Sequence, residues 1–390
     1  MAKKKIILAY SGGLDTSVAL KWFLERGYEV VCYMADVGQG QEAESARKRA
    51  SKIGAKKCIV GDLRKKFITD YVFKALKAGA VYQGKYNLAT ALSRPLIADA
   101  MVEIAKKEKA DTVAHGCTGK GNDQVRFEVT FHLKAPHLKI IAPVREWELT
   151  TREAEIDYAK KHKLPIEQTK EKVYSIDRNL WGISVEGGKL EDPWFEPPAN
   201  TYISVSKPEK APAKAEYVKV SFKKGVPVAI NGRKYGPVQL VEKLNKLGGK
   251  HGVGRVDMVE DRLVGIKSRE IYEAPASAVL HAAHTALEEL VLDRETRRYK
   301  EGVSRLYSEM VYYGLWFAPL KAGLDSFIDK TQERVSGDVK LKLYKGNVTI
   351  AGRKSPKSRY KLELATYGEG DIFDQSLAKG FIDLWAMPYK

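Results

Sequence analysis

Cysteine is scarce in this chain: Cys32, Cys58 and Cys117 are all there are in 390 residues. An odd number with no C-x-x-C spacing argues against a disulfide framework and a zinc site, and fits a reducing cytoplasm. Long apolar runs are missing as well. None reaches the about 18 residues that a membrane-crossing helix needs. The basic start Met1-Ala2-Lys3-Lys4-Lys5 is followed by an apolar run only from Ile6 to Tyr10. That is too short for a secretory signal core and reads as a first strand. Acidic residues are in deficit, 49 against 67 Lys and Arg, which leaves a net charge of +18. Such a balance attracts anions, nucleic acid among them. The lysines, however, are spread along helical stretches, as in Lys65-Lys66, Lys106-Lys107 and Lys160-Lys161, and no aromatic-basic recognition motif accompanies them. The simpler expectation is a soluble enzyme that binds a nucleotide, with neither nucleic acid nor a membrane as partner. What the chain does have is 44% hydrophobic and 30% charged residues, a folded protein's composition, and a length that calls for two domains.

Hydrophobic periodicity divides the chain. Over residues 1–165, strands are predicted at 6–9, 30–34, 58–60, 112–114 and 140–142, and helices at 16–24, 42–53, 96–106 and 151–161. Gly54 ends the second helix and Thr151 caps the last. This alternation predicts an α/β nucleotide-binding domain, a parallel sheet covered on both faces, with ligands beyond the carboxyl ends of its strands. Residues 166–365 read as an α+β domain. A Pro- and Gly-rich excursion over 186–215 precedes strands at 217–222 and 226–230 and a tight turn at Asn231-Gly232. Helices are predicted at 237–247, 276–292 and 300–313. One hairpin pairs 256–260 with 263–266, and another pairs 341–344 with 348–351. Residues 366–390 form a C-terminal tail whose helix, 375–385, carries Leu377, Phe381, Ile382, Leu384 and Trp385. So apolar a helix in a soluble chain is expected to dock on another subunit.

The first strand runs straight into Ser11-Gly12-Gly13-Leu14-Asp15-Thr16-Ser17. Strand, glycine turn and helix together are a general device for holding phosphate. The glycines let backbone N–H groups approach oxygen, and the helix N-terminus adds partial positive charge. Ser11, Thr16 and Ser17 add hydroxyl donors. Asp15 is unexpected in an anion site; capping the helix, orienting the loop and holding Mg²⁺ are all open to it. The loop has neither the lysine of a Walker A motif nor the G-x-G-x-x-G spacing of a dinucleotide fold. A second turn follows strand 112–114: His115-Gly116-Cys117-Thr118-Gly119-Lys120-Gly121-Asn122-Asp123-Gln124-Val125-Arg126-Phe127-Glu128. Asn122, Asp123 and Arg126 open a helix there, with Asn122 and Arg126 on one face. Arg126 offers a planar fork to a carboxylate, and Asp123 a partner to an ammonium. Side by side they suit an amino acid, or a structural salt bridge.

The first loop resembles the pyrophosphate loop of the PP-loop ATPases, which cleave ATP between its α and β phosphates. The block 115–128 is similar to the signature of the argininosuccinate synthetase family among them. Ala35-Asp36-Val37-Gly38-Gln39 and the blocks 90–95, 249–260, 266–275 and 311–319 are similar too, so the likeness spans nearly the whole chain. It implies a ligase joining citrulline to aspartate with ATP, whose Mg²⁺ arrives with the nucleotide rather than in a protein metal site. The ureido oxygen would attack the α-phosphorus, pyrophosphate would leave, and the aspartate amine would then displace AMP. The resemblance implies ATP contacts at Ala9, Tyr10, Ser11, Gly12, Gly13, Leu14, Asp15, Thr16, Ser17, Ala35 and Gly116. It implies aspartate contacts at Thr118, Asn122 and Asp123. Citrulline contacts are implied at Tyr86, Thr90, Ala91, Asn122, Arg126, Ser175, Ser184, Glu260 and Tyr272, and a homotetramer is implied with the C-terminal helix embracing neighbours. There are departures. Ala91 stands where the family has serine, Asp261 and Glu270 where Asn and Gly are expected, and Cys117 where a small residue such as Ala is expected. Because tRNA-thiolating relatives use a cysteine beside the nucleotide, Cys117 and the net charge support a tRNA-modifying alternative, against which stands the missing partner cysteine. Ala91 is the main support for a second alternative, a non-catalytic nucleotide sensor.

Overall fold

The computed structural model describes residues 4–40, 42–165 and 174–390; the expected boundary at 165/166 borders a segment outside the described residues. Strands β1 (Lys5–Ala9), β2 (Glu29–Asp36), β3 (Lys57–Asp62), β4 (Thr112–Ala114) and β5 (Lys139–Ile141) form one sheet. Its order is β3-β2-β1-β4-β5, and every pair is parallel. Helices Leu14–Glu25, Glu42–Ile53 and Arg152–Lys161 cover one face through Val18, Leu20, Ala50 and Ala159. Helices Ala89–Glu108 and Asp123–Lys134 cover the other through Ala98, Met101, Phe127 and Phe131. Burial on both faces is why these strands are apolar runs rather than alternating ones.

From β1 the chain winds outward to β2 and β3, then crosses back to β4. The crevice between the carboxyl ends of β1 and β4 is therefore the point where the winding reverses, the place such sheets bind ligands. The two glycine turns meet there, so that a Cβ on Gly116 would lie 3.1 Å from Cγ2 of Thr16. Local signals hold nearby. Thr151 caps its helix by accepting the Ala154 N–H at 3.1 Å, and Gly54 ends the second helix at φ +115°. One boundary differs. The helix expected over 96–106 begins at Ala89 and holds Pro95 inside it. Complete burial of Ala91, Leu92, Leu96 and Ala98 outweighs the single backbone bond the proline removes.

Among the described residues beyond 165, the strands pair antiparallel, with helices Pro237–Lys250, Pro275–Val291, Arg294–Tyr312 and Pro319–Gln332 beside them. Strands β6 (Ser175–Asn179), β7 (Gly182–Glu186), β8 (Glu216–Lys223), β9 (Val226–Ile230), β10 (Arg233–Lys234), β11 (Arg255–Asp261), β12 (Lys267–Glu273), β13 (Gly337–Tyr344) and β14 (Asn347–Lys354) make two sheets. Their orders are β10-β9-β8-β13-β14 and β11-β12-β7-β6. Asn231 and Gly232, at φ +52° and +83°, form the expected two-residue turn. The hairpin assigned to 256–260 and 263–266 is corrected: 263–266 is its turn, closed by Arg262 N–H to the Ile266 carbonyl, and the return strand is β12. Leu263, Val264 and Ile266 look like strand residues but sit exposed at the tip.

The largest core cluster does not respect the change of pattern in the sequence. It joins Val37 and buried residues between 67 and 96 to residues from 180 to 343. Trp181 stitches the halves: its indole N–H donates to the Asn87 carbonyl at 2.9 Å, and its own carbonyl accepts the Asn87 amide at 2.7 Å. Asn179 adds a bond to the Ala89 carbonyl at 2.9 Å. These contacts hold the start of helix Ala89–Glu108 against β6 and β7 and thereby build one wall of a cleft.

Candidate active site

That cleft has a volume of about 740 Å³ and opens over the β1–β4 crevice. One end is the first glycine loop. Gly12, at φ +78°, passes so close to helix Glu42–Ile53 that a Cβ would come within 2.6 Å of the Ala46 Cβ, and its carbonyl accepts from Arg49. Ser11 and Thr16 hydroxyls lie 3.0 Å apart, and the Ser11 hydroxyl also accepts the Gly13 N–H at 3.3 Å. Ala9, Tyr10, Ser11, Asp15, Thr16, Ala35 and Gly116 line the cleft. Gly12 is buried, Gly13 is exposed, and Leu14 packs on the apolar cluster; these three are not among the residues that line the cleft. Ser17 is fully buried, its hydroxyl 3.1 Å from that of Tyr10.

Asp15 does not cap its helix, whose N-cap is Gly13 without a side-chain bond. It lies instead beside the carboxyl of Glu155. Burial, and then the Asp15 charge, push the Glu155 carboxyl from 4.5 up to about 8. Unfolded chains ionise this group above pH 4.5, whereas the folded chain keeps its proton until about 8, so folding loses stability as pH rises through that window. Glu155→Gln mimics the protonated form. Its melting temperature, matched to the parent near pH 5, is expected to exceed the parent's near pH 8 by a few degrees, read by calorimetry at the two pH values.

At the other end, the register of the four-stranded sheet sets Asp177, Ser184 and Tyr272 in one row across β6, β7 and β12. All three line the cleft, as do Ser175, Glu260, Tyr86 and Thr90. Tyr86 stacks on Tyr272 at 4.4 Å, and its hydroxyl accepts the Thr90 N–H at 3.0 Å. Ala91 is fully buried inside its helix and does not line the cleft. Glu260, 3% exposed, accepts hydroxyls from Tyr272 and Tyr312, each at 2.7 Å. Burial raises its carboxyl, and the two tyrosines only partly offset this.

Between the two ends lies the Asn122–Arg126 turn. Asn122 donates to the Tyr312 hydroxyl at 2.8 Å and accepts the Leu263 N–H at 2.9 Å, which pins the β11–β12 tip to the first domain. Thr118 sits exposed on the rim. Asp123 receives Arg94 Nε on one oxygen and Arg126 Nη1 on the other, both at 2.8 Å. Burial alone would raise its carboxyl, but the two guanidinium charges outweigh that and hold it below the ordinary carboxylate range. Arg126 is 4% exposed; Nε donates to the Tyr312 carbonyl at 3.0 Å, and Nη2 is buried with no partner among the described residues. A buried guanidinium nitrogen without an acceptor, on the wall of a cleft, is able to take an oxyanion.

Sequence reasoning passed over several residues of this wall. Arg94 joins Asp123 to Asp177; its signal was its place four residues after Thr90 in helical spacing. Arg262 bonds Glu270 at 2.7 Å, pairs with Glu186, and reaches the Lys120 carbonyl at 3.3 Å. Glu270 therefore lines the cleft, and burial together with neighbouring Glu186 pushes its carboxyl well up. Asp261 faces Gln83 and Lys267 outside it. Beneath the second glycine turn, His115 Nδ1 accepts the Cys117 N–H at 3.2 Å, leaving Nε2 to donate to Glu128 at 3.0 Å. Glu128 pairs with Arg145, which holds Gln124, which donates to the Gly119 and Gly121 carbonyls. Burial pushes the Cys117 thiol up, the opposite of what a reactive thiolate needs.

A parallel sheet with a glycine loop at its switch point, facing a wall that carries the Arg126 guanidinium, is the architecture of an ATP-using enzyme of the PP-loop class with room for amino-acid-sized substrates. A family model described as "Arginosuccinate synthase N-terminal HUP domain" matches residues 5–165, and "Arginosuccinate synthase C-terminal domain" matches residues 174–390. An argininosuccinate synthase of Carboxydothermus hydrogenoformans is 55% identical over 99% of this chain and 97% of its own, and one of Acetivibrio thermocellus is 55% identical over 100% and 96%. The crystal structure of a predicted subunit of tRNA methyltransferase from Methanocaldococcus jannaschii is 13% identical, covers 40% of this chain and 76% of its own, and has a TM-score of 0.30, too low to carry any argument. The chain belongs to the argininosuccinate synthase family, ligases that form a carbon–nitrogen bond at the expense of ATP.

Proposed function

We propose that this enzyme joins L-citrulline to L-aspartate through a citrullyl-adenylate, releasing pyrophosphate and then AMP. The observation that carries the reading is the buried, unpartnered Arg126 Nη2 in a cleft that begins at a phosphate-type loop. The triphosphate lies at residues 11–17, where the loop N–H groups and the Ser11 and Thr16 hydroxyls face the β and γ phosphates, with Ala9, Tyr10, Ala35 and Gly116 along the nucleotide. Arg126 takes the citrulline carboxylate, Glu260 its ammonium, and Tyr86, Thr90, Asn122, Ser175, Ser184 and Tyr272 position the side chain. Thr118, Asn122 and Asp123 hold aspartate. Both Asp123 oxygens already accept from arginine, but a carboxylate has further lone pairs, so an ammonium can join them. Alignment of the ureido oxygen with the α-phosphorus, and of the amine with the ureido carbon, is the protein's main contribution.

ATP implies Mg²⁺, and the residues fit. Asp15 lines the cleft beside the glycine loop, a carboxylate oxygen donor of the kind Mg²⁺ shares with phosphates. Bound there, the ion would neutralise charge on the departing pyrophosphate. The three cysteines are all free, which supports a cytoplasmic enzyme. The division into 1–165, 166–365 and a tail at 366–390 is kept as a division of tasks, with the amino-acid site between the first two.

The assembly we propose is a homotetramer. Helix Leu377–Ala386 leaves Leu377, Phe381, Ile382, Leu384 and Trp385 each at least 60% exposed, apolar surface that a second copy can cover. Glutamates in place of Phe381 and Trp385 are expected to lower the mass seen by light scattering while leaving circular dichroism intact; an unchanged mass rejects the role.

Pyrophosphate exchange into ATP tests the chemistry. It is expected to require citrulline and to proceed without aspartate. Exchange that needs both amino acids, or ADP as the product, contradicts the adenylate.

A further inference from the structure

Past the end of β1, the edge of β2 that faced it has no strand to pair with among the described residues. The last rung between them is Tyr10 N–H to the Tyr33 carbonyl, 2.8 Å. Backbone groups alternate sides along a strand, so Ala35 and Val37 face the same side as Tyr33, where β1 has stopped. Asp36 faces β3, its carbonyl taking the Leu63 N–H at 2.9 Å. The Ala35 carbonyl and the Val37 N–H are thus an acceptor and a donor that the sheet leaves without a strand partner, at the end of β2 beside the cleft-lining Ala35. A side chain fills the gap. Gln39 folds back so that Nε2 donates to the Ala35 carbonyl at 2.7 Å and Oε1 accepts the Val37 N–H at 2.7 Å. Ala35 and Gln39 both line the cleft.

A carboxamide presents an acceptor beside a donor. The Watson–Crick edge of adenine does the same, with N1 accepting and the N6 amino group donating. Guanine and hypoxanthine present the reverse, an O6 acceptor beside an N1–H donor. We propose that Gln39 is a place-holder at the end of β2, satisfying the Ala35 carbonyl and Val37 N–H in the empty enzyme and leaving when the adenine of ATP takes them. The inference rests on ATP lying in this cleft with its phosphates at residues 11–17. Buried backbone groups are costly to leave unmade, and the glutamine keeps them satisfied in the empty enzyme. It is not needed to shape the bend, because Gly38 at φ +104° is already tied by its N–H to Asp36 Oδ1 at 2.8 Å. Guanine would set acceptor against acceptor and donor against donor, a mismatch that buried polar groups reject strongly.

A place-holder competes with its ligand, so apparent affinity falls by the fraction of enzyme left open. Gln39→Met keeps the length of the side chain and removes the competition. By calorimetric titration its affinity for ATP is expected to rise about three- to tenfold, with GTP and ITP weak for both proteins. Equal or weaker ATP binding makes Gln39 a permanent brace and overturns the proposal. A crystal structure of the unmutated enzyme with ATP gives the second reading. Adenine N6 and N1 at hydrogen-bonding distance from the Ala35 carbonyl and Val37 N–H, with the Gln39 carboxamide displaced, is the expected result. A carboxamide still in place over a triphosphate held at residues 11–17 overturns the proposal alone, whereas a triphosphate elsewhere overturns the assignment of the cleft on which it rests.

Discussion

Replacing Gly12 with alanine is expected to cut kcat/KM for ATP by about a thousandfold. Two costs combine. At φ +78° any residue with a Cβ is strained by about 1–2 kcal/mol. The new methyl would also sit 2.6 Å from the Ala46 Cβ and 3.3 Å from its Cα. Those atoms belong to a helix and cannot swing aside like the tip of a lysine, so the loop must give. Its N–H groups then leave the phosphate positions, and a misplacement near 1 Å costs about a hundredfold before the lost charge stabilisation is counted. Pyrophosphate release at varied ATP measures the effect, with the melting temperature as a control for folding. Near-normal kcat/KM would mean that the phosphates lie elsewhere.

The second large effect belongs to Arg126. Arg126→Met is expected to lower kcat/KM for citrulline by about a thousandfold or more, because truncating one partner of a buried charged pair costs about 2–5 kcal/mol. The substrate carboxylate loses Nη2, and Asp123 keeps only Arg94 of its two cations. Arg126→Lys is expected to restore little, since an ammonium cannot bond the Tyr312 carbonyl, Asp123 and a ligand from one plane. ATP binding, measured separately by titration, is expected to change less than threefold, because the triphosphate end of the cleft is untouched. An unchanged citrulline KM with a fallen melting temperature would mark Arg126 as structural.

What could be read in the sequence was local. Strand, two glycines and helix are adjacent in the chain, so the first loop and the start of helix Leu14–Glu25 were legible. The polar block 115–128 was legible for the same reason, including the proximity of Asp123 and Arg126, where amino-acid binding and a salt bridge were both open. The structure contains that salt bridge and leaves one guanidinium nitrogen over. What could not be read depends on distant partners. Arg94 meets Asp177 across 83 residues, and Arg262 meets the Lys120 carbonyl across 142. No spacing rule reaches so far, because both contacts exist only after β6 and the β11–β12 tip have docked on the first domain. Pro95 hid the true start of its helix, since tertiary burial overrode a local breaker. Leu263, Val264 and Ile266 imitated a strand because an apolar turn and a short strand share the same composition.

The account stands on attack by the ureido oxygen of citrulline at the α-phosphorus, with the β and γ phosphates held at residues 11–17. Citrulline labelled with oxygen-18 in its ureido group traces that bond directly. After one turnover with aspartate, mass spectrometry is expected to find the label in the phosphate of AMP and none in argininosuccinate, pyrophosphate or water. Label that appears in pyrophosphate or solvent while AMP stays unlabelled would contradict it.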